Sequence, residues 1–336
     1  MKLSIGIVGL PNVGKSTLFK ALTKNDILIA NYPFATINPN VGVVLVPDER
    51  VDILAKLSQS AKKIPAAVEF YDIAGLVKGA SQGEGLGNQF LSHIRETDAI
   101  VQVVRCFGQN EIIHVENTVD PARDIDTVDT ELALRDLDTV KKRVDKLTAE
   151  TKTGDRTKTK ELELVKQVEK QLNDNKPVYF LGKGFVENPA IKSLNLLTAK
   201  AQIFLLNGKE SDVSNELKNK ITSELKASYI ISDLSSEPDL SLLIKRAYEI
   251  LDLISFFTTG EDETRAWTII RGWKAPQAAG IIHTDFENKF IRAEVVFWKD
   301  LADLGGWTHA KQKGKIRLEG KDYIVQDGDV MIIRHG

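Results

Sequence analysis

Residues 9–17 read Gly-Leu-Pro-Asn-Val-Gly-Lys-Ser-Thr, and they constrain this chain more than any other stretch. Four free residues separate Gly9 from Gly14, and Lys15 and Ser16 follow, which is the pattern of a phosphate-binding loop. Such a loop needs a buried strand before it and a helix after it. Residues 3–8 are a short apolar run suited to the strand, and residues 17–22 suit the helix. The glycines let backbone N–H groups close around phosphate oxygens, and the helix N-terminus adds a favourable dipole. Lys15 is expected to reach the β- and γ-phosphates of a nucleotide, with the Ser16 hydroxyl on Mg²⁺. Asn12, Val13, Gly14 and Thr17 complete the expected cradle.

The stretches that follow are ordered as a nucleotide switch requires. Two prolines keep residues 31–40 from forming a continuous helix, and Thr36 in that loop is placed to complete an Mg²⁺ shell. Residues 41–46 and 67–71 read as strands, with helical spacing over 51–57 between them. The second strand runs into Asp72-Ile-Ala-Gly75. Asp72 is expected to hold Mg²⁺ through water, and Gly75 to turn its backbone N–H toward the γ-phosphate. Next comes Leu76, where many small GTPases carry a glutamine that orients the attacking water. Leucine has no group for that task, so water activation has to come from another side chain, a cation or a partner. Gly79, Gly83, Gly85 and Gly87 mark a second switch loop. A helix is expected over 88–96 and a core strand over 99–104. His114 stands in an apolar setting and reads from sequence alone as a structural histidine.

Residues 126–148 carry apolar positions at three- and four-residue spacing, and Leu162, Val165, Val168 and Leu172 continue the pattern beyond a polar turn at Gly154. Two such helices with a short turn read as an antiparallel hairpin. Its exposed positions include Lys141, Lys142, Arg143, Lys146, Lys152, Arg156, Lys158, Lys160, Lys166 and Lys170. These read either as a solvated surface interspersed with acids or as an arm whose basic tip meets RNA phosphates. The strand pattern resumes over 201–206 and ends in Asn207-Gly-Lys-Glu210, where a base-reading loop belongs. A helical piece at 221–225, a short strand at 229–231 and a closing helix over 240–253 follow. Beyond Phe257 the texture turns β-rich: residues 291–297 alternate, and 323–325 and 330–333 flank the turn Asp327-Gly-Asp329.

The expected domains are a nucleotide-binding unit in two parts, 1–126 and 199–257, an inserted helical arm at 127–198, and a small β-rich module at 258–336 without a catalytic cluster. A net charge of −2 argues neither for nor against nucleic acid. A single cysteine, Cys106, rules out an intrachain disulfide framework and suits a reducing compartment. No apolar run approaches the roughly 20 residues that a membrane helix needs, and no signal-peptide core opens the sequence. A cytoplasmic location without membrane partners is the expectation.

The chain resembles the YchF subfamily of Obg-related P-loop NTPases over nearly its whole length. The marks are residues 9–17, Tyr32-Pro-Phe-Ala-Thr-Ile37, residues 72–80, 83–88 and 207–210. Arg265-Ala-Trp-Thr268, Ala275-Pro-Gln-Ala-Ala-Gly280, His283-Thr-Asp-Phe286 and residues 320–330 are equally distinctive. The resemblance implies an α/β fold: a Rossmann-like P-loop G domain, an inserted antiparallel helical hairpin and a C-terminal ubiquitin-like β-grasp (TGS) domain. It implies ATP hydrolysis at least as good as GTP hydrolysis, with Mg²⁺ as cofactor. Ribosomes are the implied partner, with the large subunit included and rRNA contacts through arm and TGS domain.

The Asn-Gly-Lys-Glu loop departs from the usual guanine-reading Asn-Lys-x-Asp, and by itself argues only for relaxed guanine selectivity. On the resemblance, Asn207 and Glu210 belong to the base loop, and backbone groups around Ser232, Asp233 and Leu234 help read the purine edge. It also makes His114 a catalytic candidate and Asn12 a candidate K⁺ ligand. The segments at 175–194 and 232–238 look shortened. A GTPase of the same fold and a nucleotide-gated ribosome-binding adaptor are the rival readings.

Overall fold

The structure, a computed structural model, describes residues 3–24, 40–73, 94–108 and 118–336. Thr36, Gly75, Leu76 and His114 lie outside the described residues. Of the helix expected over 88–96, residues 94–96 are described and are helical.

The first sheet has strand order β2-β4-β1-β5-β6-β7. Its strands are β1 (Ser4–Val8), β2 (Val41–Leu45), β4 (Ala67–Asp72), β5 (Ala99–Arg105), β6 (Ala201–Asn207) and β7 (Ser228–Ser232). All neighbours pair in parallel except β2, which runs antiparallel to β4 at one edge. β1 and β5 are buried along their full length, as strands of a sheet covered on both faces are, with Gln102 and Arg105 of β5 buried among apolar neighbours. Helix α1 (Lys15–Thr23) follows the phosphate loop, and its Leu18 and Leu22 sink into the core. Helix α2 (Glu49–Ser58) is capped by Asp48, whose side chain accepts from Arg50 N–H at 3.0 Å.

The expected hairpin is present. α3 (Pro121–Glu150) starts with Pro at its first turn and Asp120 as cap; α4 (Arg156–Asn173) is capped by Asp155. Gly154 between them takes φ +80°, a left-handed turn that favours glycine. Val140 and Leu147 of α3 pack with Val165, Val168 and Leu172 of α4 in their own apolar core. Arg143 pairs with Glu161, and Lys158 bridges Glu150 and Glu161 at 3.3 and 3.5 Å. Those two bases are therefore internal to the hairpin, whereas Lys141, Lys142, Lys146, Lys152, Arg156, Lys160, Lys166 and Lys170 face outward.

The second sheet has order β11-β10-β12-β8-β9-β3. Its strands are β3 (Lys62–Ile64), β8 (Leu253–Thr259), β9 (Glu263–Ile270), β10 (Phe290–Phe297), β11 (Arg317–Glu319) and β12 (Asp329–His335). One face packs on the helix Ala275–Ile282. The other face, through Phe257, Val296 and Val330, joins the core that contains Leu54 of α2 and the first sheet. Three readings change here. The closing helix α5 (Ser241–Ile250) ends earlier than expected, and β8 straddles position 257, so residues 253–257 pair within the second sheet. Residues 323–325 form no strand; one bridge, Lys274 to Ile324, is all the pairing they make. The piece at 221–225 is part of a π-helical turn at Lys220–Glu224.

Candidate functional site

A cleft of about 690 Å³ opens at the carboxyl ends of β1, β5 and β6, the position where open α/β sheets bind ligands. Asn12, Gly14, Lys15, Ser16 and Thr17 form one wall; Phe107, Asn207, Lys209, Asp212, Asp233 and Leu234 stand around the rest. The loop depends on unusual backbone. Gly9 takes φ +148° and Gly14 φ +109°. A Cβ at Gly9 would lie 2.5 Å from the Val103 carbonyl oxygen, and one at Gly14 would lie 2.5 Å from Asn207 Nδ2. Both positions therefore exclude a side chain on conformation and on space. Asn12, at φ +61°, is left-handed too and exposed to the cleft.

Lys15 is 7% exposed, and its Nζ donates to the carbonyls of Gly9 at 3.1 Å and Leu10 at 2.7 Å. Burial lowers its pKa from 10.5 to about 8, partly opposed by the negative charge of Asp72. The ammonium is thus held against loop carbonyls beside a carboxylate, with little water around it. Ser16 and Thr17 are exposed at the start of α1. Asp72 ends β4, with its N–H donating to Asn40 O at 2.9 Å; it is not among the described residues that line the cleft, but its charge acts on Lys15.

Asn207, 4% exposed, binds two loops together. Its Nδ2 donates to Val13 O at 2.8 Å, and its Oδ1 accepts from Leu234 N–H at 3.1 Å. Gly208 N–H also donates to Ser232 O at 3.2 Å. Ser232 and Val13 therefore support the cleft from behind, while Asp233 and Leu234 face it. The Asp233 carboxylate accepts from Ser235 N–H at 3.0 Å, which together with the Ser235 hydroxyl holds its pKa below the usual range. Glu210 departs from expectation. It lies in the short 3-10 turn Glu210–Asp212, points away from the cleft and pairs with Lys218. Asp212 takes the place beside the cavity, with its Oδ2 accepting from Lys209 N–H at 2.8 Å.

Phe107, Asp212 and Ser235 were not foreseen as lining residues. Phe107 is set by Arg105, a buried arginine whose Nε donates to Phe107 O at 3.2 Å while its guanidinium lies 4.5 Å from the ring centroid. The sequence signal was an aromatic just past a core strand.

The exposed hydroxyl of Ser16, the acid at the end of β4 and the buried cation of Lys15 suit an Mg²⁺-bound polyphosphate: hard oxygen donors for the metal and N–H groups for the phosphates.

Two family models match the chain. One, described as a 50S ribosome-binding GTPase, covers residues 4–179; the other, the C-terminal model of YchF GTPases and described as a protein of unknown function, covers 253–336. The chain is 45% identical to the ribosome-binding ATPase YchF of Bacillus subtilis over 363 residues, with 99% of each covered. It is 47% identical to that of Haemophilus influenzae over 360 residues, again with 99% of each covered. The solved structure of the Schizosaccharomyces pombe YchF GTPase superposes with a TM-score of 0.88 at 39% identity, covering 99% of this chain and 98% of that one. The first alignment is 27 positions longer than the 336 residues here, so the chain is shorter than that relative in places.

Proposed function

Because the chain belongs to the YchF family of P-loop NTPases, we propose that it is an Mg²⁺-dependent ATPase whose nucleotide state governs its binding to ribosomes. The observation that carries this reading is the cleft itself, where Lys15 and the amides of a strained glycine loop face a base-side wall clamped by Asn207. Lys15 would leave the Gly9 and Leu10 carbonyls for the β- and γ-phosphate oxygens and stabilise charge developing there as water attacks. Ser16, Thr36 and Asp72 would hold the metal, and Gly75 would offer its N–H to the γ-phosphate. When bound, Mg²⁺ supplies neutralisation of the phosphate charge. His114 is the internal candidate for holding the water, and Asn12 for a K⁺ ion that assists.

The base side supports relaxed guanine selectivity, and the ATPase relatives support ATP. A guanine-reading carboxylate accepts from the base N1 and N2 groups, whereas Glu210 is turned toward Lys218 and one oxygen of Asp212 is occupied by the backbone of Lys209. The relatives named as ribosome-binding support the partner. The outward-facing bases of the hairpin suit rRNA phosphates, with the large subunit as the proposed location and the C-terminal sheet as a second docking surface. No described helix is long and apolar enough to cross a membrane.

The test is calorimetric titration with ATP, GTP and ADP in Mg²⁺, beside turnover and co-sedimentation with ribosomes. Turnover that is lost in Lys15→Ala, with weakened ATP binding, is expected. Undiminished turnover in that variant would remove the assignment. Single-turnover hydrolysis by His114→Ala, with and without K⁺, separates histidine from cation assistance: a loss of about 10²-fold at parent-like ATP affinity is expected if the imidazole acts directly.

A further inference from the structure

The phosphates and the base of a nucleotide meet different parts of this cleft. The phosphate loop takes the phosphates, so the purine falls on the side that the loops after β6 and β7 supply. Asn207 ties both loops to the phosphate loop through Val13 O and Leu234 N–H. On that side stand Lys209 and Asp212 from one loop, and Asp233 and Ser235 from the other. A purine carries its ribose at N9, so the edge of C6, N1 and C2 points away from the phosphates and toward these residues. Adenine offers a donor at C6 and an acceptor at N1. Guanine offers an acceptor at C6 and donors at N1 and C2.

Many donors on that side are already engaged. Gly208 N–H donates to Ser232 O at 3.2 Å, Lys209 N–H to Asp212 Oδ2 at 2.8 Å, and Leu234 N–H to Asn207 Oδ1 at 3.1 Å. Ser235 gives both its N–H, at 3.0 Å, and its hydroxyl, at 2.5 Å, to Asp233 Oδ1. These two bonds fix the Asp233 carboxylate and leave its Oδ2 without a partner among the described residues. Asp212 is more fully engaged, because its Oδ1 also lies 3.5 Å from the Ser211 hydroxyl. The charge of Lys209 acts on Asp233 and steadies the carboxylate in its ionised form. An open carboxylate oxygen accepts and cannot donate, so it suits an amino group and opposes a carbonyl.

We propose that Asp233 selects the base: its open carboxylate oxygen accepts from the 6-amino group of a purine nucleoside triphosphate and opposes a 6-oxo base. This rests on the ATPase reading above and deepens it, because it gives the cleft its own reason to prefer ATP. The two loops divide the purine edge. Asp212 belongs to the base loop after β6, where a guanine-reading carboxylate would meet N1 and the 2-amino group. The C6 side is then left to the loop after β7, which carries Asp233. A 6-oxo group there would set its lone pairs against Asp233 Oδ2, with the Ser235 donors already turned to Oδ1.

The experiment is competition binding to the full chain in Mg²⁺ with the triphosphates of adenosine, purine riboside, inosine and guanosine. The first three differ only at C6 and N1: amino, hydrogen and oxo. The parent is expected to bind ATP about fivefold or more tightly than purine riboside triphosphate, the scale of one hydrogen bond, and ITP more weakly than either. Asp233→Asn keeps an acceptor for Ser235 and puts an amide NH₂ where Oδ2 stood, so it should narrow the ATP-to-ITP ratio about fivefold or more. Asp212→Ala is expected to leave the ratio of ATP to purine riboside triphosphate within about twofold, because it acts on the other side of the edge. Equal affinity of the parent for ATP and purine riboside triphosphate would overturn the proposal. So would an unchanged ATP-to-ITP ratio in Asp233→Asn, even with both nucleotides weakened, since that marks a merely structural carboxylate. A parent that binds none of the four would overturn the ATPase reading first and this inference with it.

Discussion

The side-chain amide of Asn207 donates to the backbone carbonyl of Val13 at 2.8 Å, across 194 positions of sequence. Its carbonyl oxygen is spent as well, on the N–H of Leu234 at 3.1 Å. A residue expected to meet the purine therefore acts first as a tie between the phosphate loop and the loop after β7. It also sets how near Gly14 can lie, since a Cβ there would meet Nδ2 at 2.5 Å. The shape of the cleft, and not only its chemistry, depends on this one side chain.

Asn207→Ala removes both bonds and leaves the Leu234 N–H buried without its acceptor. A loss of roughly 1–3 kcal/mol is expected for such a group, which is about 5- to 150-fold in affinity. Because the tie serves the whole cleft, ATP and GTP should weaken together. Calorimetry with both nucleotides checks it. Weakening confined to one of them would mean that Asn207 reads the base directly.

Residues whose roles are local were legible in the sequence. The phosphate loop declares itself through glycine spacing, and the hairpin through apolar spacing and the turn at Gly154. What was hidden depends on contacts between distant segments. β3 is three residues, two of them lysines, and is a strand only because β9 lies beside it. Residues 323–325 are a short apolar run that reads like a strand. However, the Asp329 carboxylate takes Gln326 N–H at 2.9 Å and the Tyr323 hydroxyl at 2.7 Å, which folds the chain into a turn instead of a ladder. Phe107 reaches the cleft because Arg105 holds it, and Glu210 leaves it because Lys218 pairs with it. Neither partner is apparent from motif spacing.

The buried Lys15 makes nucleotide binding pH-dependent. Its pKa in the free protein is lowered to about 8 by burial. A bound polyphosphate favours the ammonium, so binding raises that pKa again and draws in a proton. Below pH 8 the lysine is already charged and little uptake occurs. As pH rises through about 8, uptake increases and affinity falls. Titrations in buffers of different ionisation enthalpy measure the protons directly. The uptake assigned to Lys15 should disappear in Lys15→Met; unchanged uptake in that variant would place the titrating group elsewhere.

Glu210 is expected to matter less than its motif position suggests. Its side chain is 73% exposed and pairs with Lys218 outside the cleft. Glu210→Asp and Glu210→Ala should both leave the ATP-to-GTP affinity ratio within about twofold, since an exposed ion pair outside the cleft contributes little. Asp212 lines the cavity and fixes the Lys209 backbone, so Asp212→Ala should change that ratio about fivefold or more, the scale of one hydrogen bond. Competition binding with the two nucleotides ranks the variants. A larger effect from Glu210 than from Asp212 would reverse the assignment.

The two sheets are joined by a fork of hydrogen bonds at Arg50. Its guanidinium contacts the Asp48 carboxylate at 2.7 Å and the Asp327 carboxylate at 2.8 Å, and lies 4.9 Å from the centre of the Phe257 ring. Asp327 in turn accepts from Ser255 N–H at 2.9 Å, so one carboxylate holds both α2 and β8. Burial disfavours the Arg50 charge, but the two aspartates outweigh it and raise the guanidinium pKa, which keeps Arg50 charged across the working pH range. Asp327→Ala should cost about 1.5–3 kcal/mol, the scale of a hydrogen bond to a charged group. Arg50→Lys keeps the charge without the planar fork and should recover little of what Arg50→Ala loses. Urea unfolding followed by tryptophan fluorescence reports directly, because Trp267, Trp273, Trp298 and Trp307 all lie beyond β8. The expected signature in Asp327→Ala is a lower midpoint for the tryptophan signal, with ATP affinity unchanged because the phosphate loop is untouched. A midpoint equal to that of the parent would show that β3–β9 pairing and the shared apolar core suffice to hold the second sheet in place.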